Sequence, residues 1–321
     1  MAAEPPAGEQ HTSSIARSSI ARSSVAGALA GRDMALYALV VLVWGTSWLG
    51  MRMQVGVVAP EVSVLWRFVL ACPIMFVWAT LARQPLVFPR RAHARFAAMG
   101  ATMFSTNLIL FYHASLAIPS GLMAVVFSLA SIFNASLGAI FLGQRLERSV
   151  VLAGAVGVLG VMLMFAPEII GHEIDRQAIV GLIECVAATA CFCLGNIVSA
   201  SSQRIRLPVL ASTAWGMVYG IGFLVAVSLW RGNAFIVEPT VRYLAALGWL
   251  AIVASVVAFS AFLTLVGRVG PARAGYMTIL FPVVALMVST VFEGYRWTAL
   301  AALGLLLVLA GNWLVLRRRT A

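Results

Sequence analysis

Ten apolar stretches follow one another along the chain with almost no polar sequence between them. They fall near 34–54, 61–82, 95–115, 119–142, 149–166, 177–202, 209–230, 241–266, 271–292 and 297–316. A helix rising 1.5 Å per residue needs about 20 apolar residues to cross ~30 Å of hydrocarbon, and each stretch is near that length. The breaks are short and rich in Pro, Gly and Arg: Ala59-Pro60, Pro85 to Arg91, Ile118-Pro119, Leu207-Pro208 and Gly270-Pro271. Such a chain has no room for a separate soluble domain. Composition agrees, because 62% of the residues are hydrophobic and 10% charged, against about 45–50% and 25% in soluble domains. A water-soluble fold of this size cannot hide that much apolar surface. A soluble enzyme, a disordered protein and a secreted disulfide scaffold are excluded, which leaves an all-α membrane protein.

The net charge of +11 would suggest nucleic acid in a soluble protein. Here the basic residues, all of them Arg, lie mostly between apolar runs, where they set topology. With the N-terminus cytoplasmic, 16 arginines fall on the inner side and 5 on the outer, with Arg67 inside a span. That split predicts both termini inside. Residues 1–33, with the repeated Ser-Ser-Ile-Ala-Arg, are expected to form a disordered cytoplasmic tail, and 317–321 a short basic one. Cys72, Cys185, Cys191 and Cys193 all fall in apolar runs. Cys191 and Cys193 diverge by about 200° on a helix and read as core residues rather than metal ligands.

The chain also overlays on itself. A shift of 151 carries Phe141 onto Phe292, Gly143 onto Gly294, Arg145 onto Arg296, Leu152 onto Leu303 and Gly160 onto Gly311, and a shift of 148 carries Pro60 onto Pro208. Two units of five spans have an odd number each, so the second must be inverted relative to the first. The expected units are 34–166 and 177–316, and inverted repeats are an architecture of alternating-access carriers.

Short motifs then point to a family. Trp44-Gly45-Thr46-Ser47 with Arg52, and Leu65-Trp66-Arg67-Phe68, resemble the opening of an EamA domain of the drug/metabolite transporter superfamily. Phe141-Leu142-Gly143-Gln144-Arg145-Leu146 resembles the end of helix 4 of its first repeat. Gly270-Pro271-Ala272-Arg273-Ala274, Phe281-Pro282-Val283, Phe292-Glu293-Gly294 and Ala310-Gly311-Asn312 resemble the second. The likeness spans roughly 34–316. The chain departs from the pattern in having Ser131 where helix 4 usually has a Pro, and Gln144 where the turn usually has a Glu. The resemblance implies ten helices in two inverted EamA-like repeats, an inner-membrane location, and export of amino acids or other small metabolites.

Polar residues within spans are expensive and mark candidate sites. Arg67 lies six residues into helix 2 and Glu184 seven residues into helix 6, both roughly 9–11 Å below the outer edge. They are placed to pair across the repeats or to face a watery cavity. Arg67 also suits a structural anchor that snorkels outward. Glu184, the only acid well inside a span, suits a proton carrier. Trp44 and Trp48 share a face of helix 1, with Arg52 near enough for a cation–π contact. Asn107, Asn134 and Asn196 lie within helices 3, 4 and 6, and Tyr276 precedes Pro282 in helix 9. Trp44, Trp48, Asn107, Asn134, Asn196 and Tyr276 are the expected substrate-facing set, with Glu184 and Arg67 the intramembrane charges. The amides serve equally as glue between helices.

An intramembrane enzyme is disfavoured, since the one His in a span, His113, lies at the outer end of helix 3 and no His lies deep in a span to activate Ser47, and HExxH, paired membrane Asp and phosphate-loop motifs are absent from the sequence. A facilitator, channel or receptor is the alternative to a carrier. No cofactor or metal is expected. The expected partners are a small-molecule substrate, the lipid bilayer and protons as coupling ion, with a homodimer left open and no nucleic acid.

Overall fold

In a computed structural model of the chain, residues 8–143, 148–166, 175–269 and 277–319 are described. They form ten helices, and no strand occurs among them. Helix α1 is Gly8–Met53, α2 Pro60–Leu81, α5 Arg148–Met164, α6 Arg176–Arg204, α7 Val209–Trp230, α9 Met277–Phe292 and α10 Ala299–Arg319. Helix α4 is Ser120–Leu142. Helix α3 covers 90–117, with a π-helical segment at Thr102–Thr106, and α8 covers 241–269, with one at Trp249–Val257. Six of the helices are long and apolar enough to cross a membrane, and three shorter apolar stretches lie in α5, α9 and α10. Helix α1 begins at Gly8, where the sequence alone suggests a disordered tail to residue 33. The period-five Ser-Ile-Ala-Arg segment contains no Gly or Pro to interrupt a helix that continues from the first span.

Local chemistry sets the ends. Pro60 opens α2 at a position that needs no N–H. The Asp175 carboxylate accepts from the N–H groups of Gln177 and Ala178 at 2.9 and 3.1 Å and caps α6. Gly143 and Gly294 stop α4 and α9 with φ of +66° and +69°, a left-handed backbone that favours glycine. These are the two glycines that the 151-residue shift superposes.

The repeat recurs in packing. Ser105 Oγ donates to the carbonyl of Gly100, and Ser255 Oγ to that of Leu250, each five residues back, at 2.7 and 2.8 Å. The two serines anchor the π-helical segments of α3 and α8. Helices α5 and α10 cross backbone to backbone: Gly160 faces Gly304, and Gly311 faces Ala153. Moving each pair by 151 residues turns it into the other, as a twofold relation requires. The order of these contacts makes α5 and α10 antiparallel. Likewise the start of α2 meets the end of α7, and the start of α4 meets the end of α9. Helices five apart therefore run in opposite directions, which is the inverted repeat.

The end that carries Arg52, Glu61, Ser120, Arg231 and Glu293 is the one the arginine distribution assigns to the outside, and we term it the outer end. Of the four Trp residues near span ends, where the membrane interface favours them, Trp230, Trp297 and Trp313 are exposed and Trp78 is half-buried.

Candidate functional site

Five helices from both repeats meet at mid-depth around Phe127. Its ring lies 5.4 Å from Trp48 of α1, 5.7 Å from Phe111 of α3, 4.9 Å from Phe192 of α6 and 5.8 Å from Phe281 of α9. Trp48 and Phe111 meet edge to face at 5.0 Å. Trp48 is buried, while Phe127 and Phe192 are half-buried. Edge-to-face and tilted pairs at these separations place a positive ring edge against a negative face. These are the five helices the sequence nominates, and aromatic side chains fill their meeting point.

About 6 Å further inward along α6, Asn196 Nδ2 donates to Asn134 Oδ1 of α4 at 3.3 Å. The two amides meet across the repeats, and both stay half-buried. Trp44 turns toward α8, its Nε1 donating to the Ala254 carbonyl at 3.3 Å and its ring 5.3 Å from Phe262. That carbonyl sits where the π-helical segment ends. The Ala258 N–H reaches back to Val253, and the return to α-helical register passes Ala254 over. Asn107 is buried in α3 beside the other π-helical segment, and its Oδ1 has no hydrogen-bond partner among the described residues. Tyr276 lies outside the described residues.

The two intramembrane charges do not pair. Arg67 Nε donates to Ser255 Oγ at 3.0 Å. Glu184 instead lines a pocket of about 400 Å³ between α3 and α6, with His113, Arg176 and Gln177 as its polar neighbours.

Beyond the aromatic layer the outer end is tied shut by two polar clusters that the sequence reading did not find. In the first, Arg52 Nε lies 3.1 Å from Glu293 Oε1. Arg52 Nη1 also donates to the carbonyls of Ser115 and Ile118 at 2.7 and 2.9 Å, at the end of α3. Glu293 Oε2 accepts from the Ser120 N–H at 3.0 Å, Ser120 Oγ at 2.7 Å and Ser289 Oγ at 2.6 Å. A carboxylate from one repeat thus caps the first turn of α4 in the other, and an arginine caps the last turn of α3. Arg52 turns to this acid rather than to the Trp48 face expected for it. In the second cluster, Glu61 is 1% exposed and accepts from Arg231. His113 Nε2 lies 3.1 Å from Glu61 Oε1, and Asn233 Nδ2 donates to Oε2 at 3.2 Å. Each cluster joins residues of both repeats. The available sequence signal was that each acid has an outer-side arginine, Arg52 or Arg231, at the same end of the bundle.

Toward the inner end, neutral acceptors link the repeats. Arg95 Nη1 donates to Ser201 Oγ at 2.7 Å, and Trp215 Nε1 to the Leu86 carbonyl at 2.9 Å.

Comparison with known proteins gives a consistent picture. The profile of the EamA-like transporter family matches residues 33–166 and 180–317. A probable amino-acid metabolite efflux pump of Escherichia coli is 26% identical over 295 residues, covering 89% of this chain and 95% of that protein. An uncharacterized inner membrane transporter of the same organism is 26% identical and covers 87% and 91%. An uncharacterized transporter of Archaeoglobus fulgidus is 27% identical and covers 88% and 98%. A solved crystal structure with 16% identity covers 90% of this chain and 99% of its own, with a TM-score of 0.63. That last likeness concerns the fold.

Proposed function

The chain belongs to the EamA-like transporter family, and we propose that it is a secondary exporter of small amphipathic metabolites, amino acids among them, working by alternating access across the inner membrane. One observation carries the reading: both repeats converge on a column of aromatic rings and amides whose outer end is closed by cross-repeat charges. Aromatic faces suit the apolar part of an amphipathic solute, and the Asn134–Asn196 pair offers donors and acceptors to its polar part. Related efflux and transporter names support the direction and the compartment.

In this reading Glu184 is the proton carrier. It sits half-buried in a pocket that also holds His113, and His113 touches the Glu61–Arg231 pair. Proton uptake from outside thus has a short path to the outer closure. The test is counterflow in proteoliposomes with a labelled panel of neutral amino acids. We expect saturable exchange, with KM raised about tenfold or more by Asn196→Ala, the loss of one or two polar contacts. Glu184→Gln should retain exchange but lose accumulation driven by a pH gradient. Flux that does not saturate would make the protein a channel, and undiminished uphill transport by Glu184→Gln would make that residue structural.

Orientation follows from the same proposal. Reporter domains fused after Arg91 and after Thr320 should both read cytoplasmic, and one after Asp175 external. A C-terminus outside the cell would reverse the assignment of the closed end.

A further inference from the structure

Helix α4 is broken near its middle. Leu129, with φ of −64° and ψ of −8°, separates two α-helical pieces, Ser120–Ser128 and Ala130–Leu142. Its N–H reaches three residues back, to the Val126 carbonyl at 3.1 Å, and its carbonyl accepts from Ile132, three residues on, at 2.9 Å. A regular α-helix would give the Val125 carbonyl to Leu129, but Ser128 Oγ donates to it at 2.6 Å. Breaks of this kind need a local cause. Helix α4 holds no Pro, and no Gly lies between Gly121 and Gly138.

The cause comes from the other repeat. Asn312 of α10 is fully buried, and its amide brackets the break. Nδ2 donates to Ser128 Oγ at 3.1 Å, and Oδ1 accepts from Ser131 Oγ. The second Nδ2 proton goes to the Val308 carbonyl at 3.1 Å, which fixes the amide on its own helix. Ser128 Oγ accepts from Asn312 and donates to Val125, so the amide holds the hydroxyl in the orientation that occupies the carbonyl. The 151-residue shift carries Ser131 onto Pro282 inside α9, where the ring lacks an N–H. The two related helices thus lose their regular ladder at one level, α9 through a proline and α4 through a side-chain clamp.

The two pieces of α4 hold different neighbours. In the outer piece Ser120 binds Glu293, Gly121 lies against Leu286 and Ser289 of α9, and Phe127 centres the aromatic layer. Every residue from Ser120 to Ser128 is buried except the half-buried Phe127. In the inner piece the Ala130 carbonyl lies 3.5 Å from Cys193 Sγ, Asn134 meets Asn196, and Ile132 lies against Gly154 and Gly157 of α5. We propose that Asn312 is a positioning residue for transport: by holding the break at Leu129 it makes Ser120–Ser128 a separate rigid piece, which carries Phe127 away from Glu293 and α9 while Ala130–Leu142 keeps Asn134 on α6. The role in transport rests on the export reading; the clamp itself does not.

The test replaces Asn312 with Leu, which is close in size and lacks both ends of the clamp, so α4 runs on as one helix. In the purified full-length protein in detergent, backbone hydrogen exchange of the segment 129–133 should slow by about tenfold or more, as a reformed ladder requires. In proteoliposomes, counterflow of labelled neutral amino acids should lose about tenfold in turnover per folded molecule with KM changed less than about twofold, because Asn134 and Asn196 are untouched. An amide that only stabilises the fold would lower the amount of folded protein and leave that turnover alone. If Asn312→Leu does not fold, Asn312→Leu with Ser128→Ala and Ser131→Ala gives the same readouts, since it leaves no hydroxyl facing the new apolar side chain. Failure of both to fold makes Asn312 structural and overturns the proposal. Unchanged or faster exchange overturns the clamp, and slowed exchange with parental turnover overturns its role in transport. A parent protein without saturable counterflow loses the export reading, and slowed exchange in Asn312→Leu then still supports the clamp.

Discussion

Replacing Glu293 with Gln opens the outer end of the bundle. The substitution keeps the shape and removes the charge, so Arg52 loses its ionic partner at 3.1 Å and three donors lose an ionised acceptor. Glu293 is 8% exposed at its side chain, and little water stands ready to replace what is lost. Removing one member of a buried ion pair typically costs about 3–5 kcal/mol. If the outward-open state lacks the pair, that cost falls on the closed state alone. Even 3 kcal/mol shifts the ratio of the two states by about 150-fold. A probe reads this directly. Ser115 is 1% exposed beside the Arg52 contact, so Ser115→Cys, with the four native cysteines changed to Ser, reports access from outside. Its reaction with a membrane-impermeant thiol reagent should speed up by about 100-fold when Glu293→Gln is added. Arg52→Gln should do the same, and the double variant should show little more than either alone, because the two remove one interaction. Unchanged labelling would mean that the cluster is a structural cap and that closure lies elsewhere.

The spans, their alternation and the internal repeat were legible because apolar length and chain shift are one-dimensional quantities. Depth could also be counted along a helix, and it brought Arg67 and Glu184 to a common level. Depth does not give direction. Arg67 turns to Ser255 because a π-helical segment reorients that serine, and nothing in the residues Trp249–Val257 announces such a segment. The same segment passes over the Ala254 carbonyl and draws Trp44 toward α8. The burial of Glu61 and Glu293 was not legible for a different reason. Both lie at span ends, where an acid is normally solvated, and only the inward packing of α7 and α9 buries them. The aromatic layer was half legible. The reading followed the amphipathic Trp, Asn and Tyr residues of helices 1, 3, 4, 6 and 9 and passed over Phe127, which has four ring neighbours from four other helices.

The second large effect concerns the crossing of α5 and α10, where backbone meets backbone and no side chain can yield. A Cβ added to Gly160 would sit 2.5 Å from the Gly304 carbonyl oxygen and 2.9 Å from the Val308 nitrogen, and one added to Gly311 would sit 2.7 Å from the Ala153 carbonyl oxygen. Relief requires the helices to separate. That would pull on Asn312, which is fully buried and donates to Ser128 Oγ at 3.1 Å while meeting Ser131. Overpacking alone costs about 1–3 kcal/mol, and stranding a buried amide adds about 1–3 more. Gly160→Ala should therefore reduce folded protein several-fold, and Gly160→Leu should leave almost none, as read by size-exclusion profiles of detergent-extracted protein. Gly154→Ala is the control on the same helix. Its added Cβ meets only the Ile132 Cγ2 methyl at 3.1 Å, the end of a side chain that can shift, so yield should stay near the parent's. The twofold relation makes the prediction sharper, because Gly160 and Gly311 are the same position in the two repeats. Gly311→Ala should cost about as much as Gly160→Ala. A Gly160→Ala protein that accumulates normally while Gly311→Ala does not would show that the crossing is asymmetric and that the 151-residue correspondence stops short of packing.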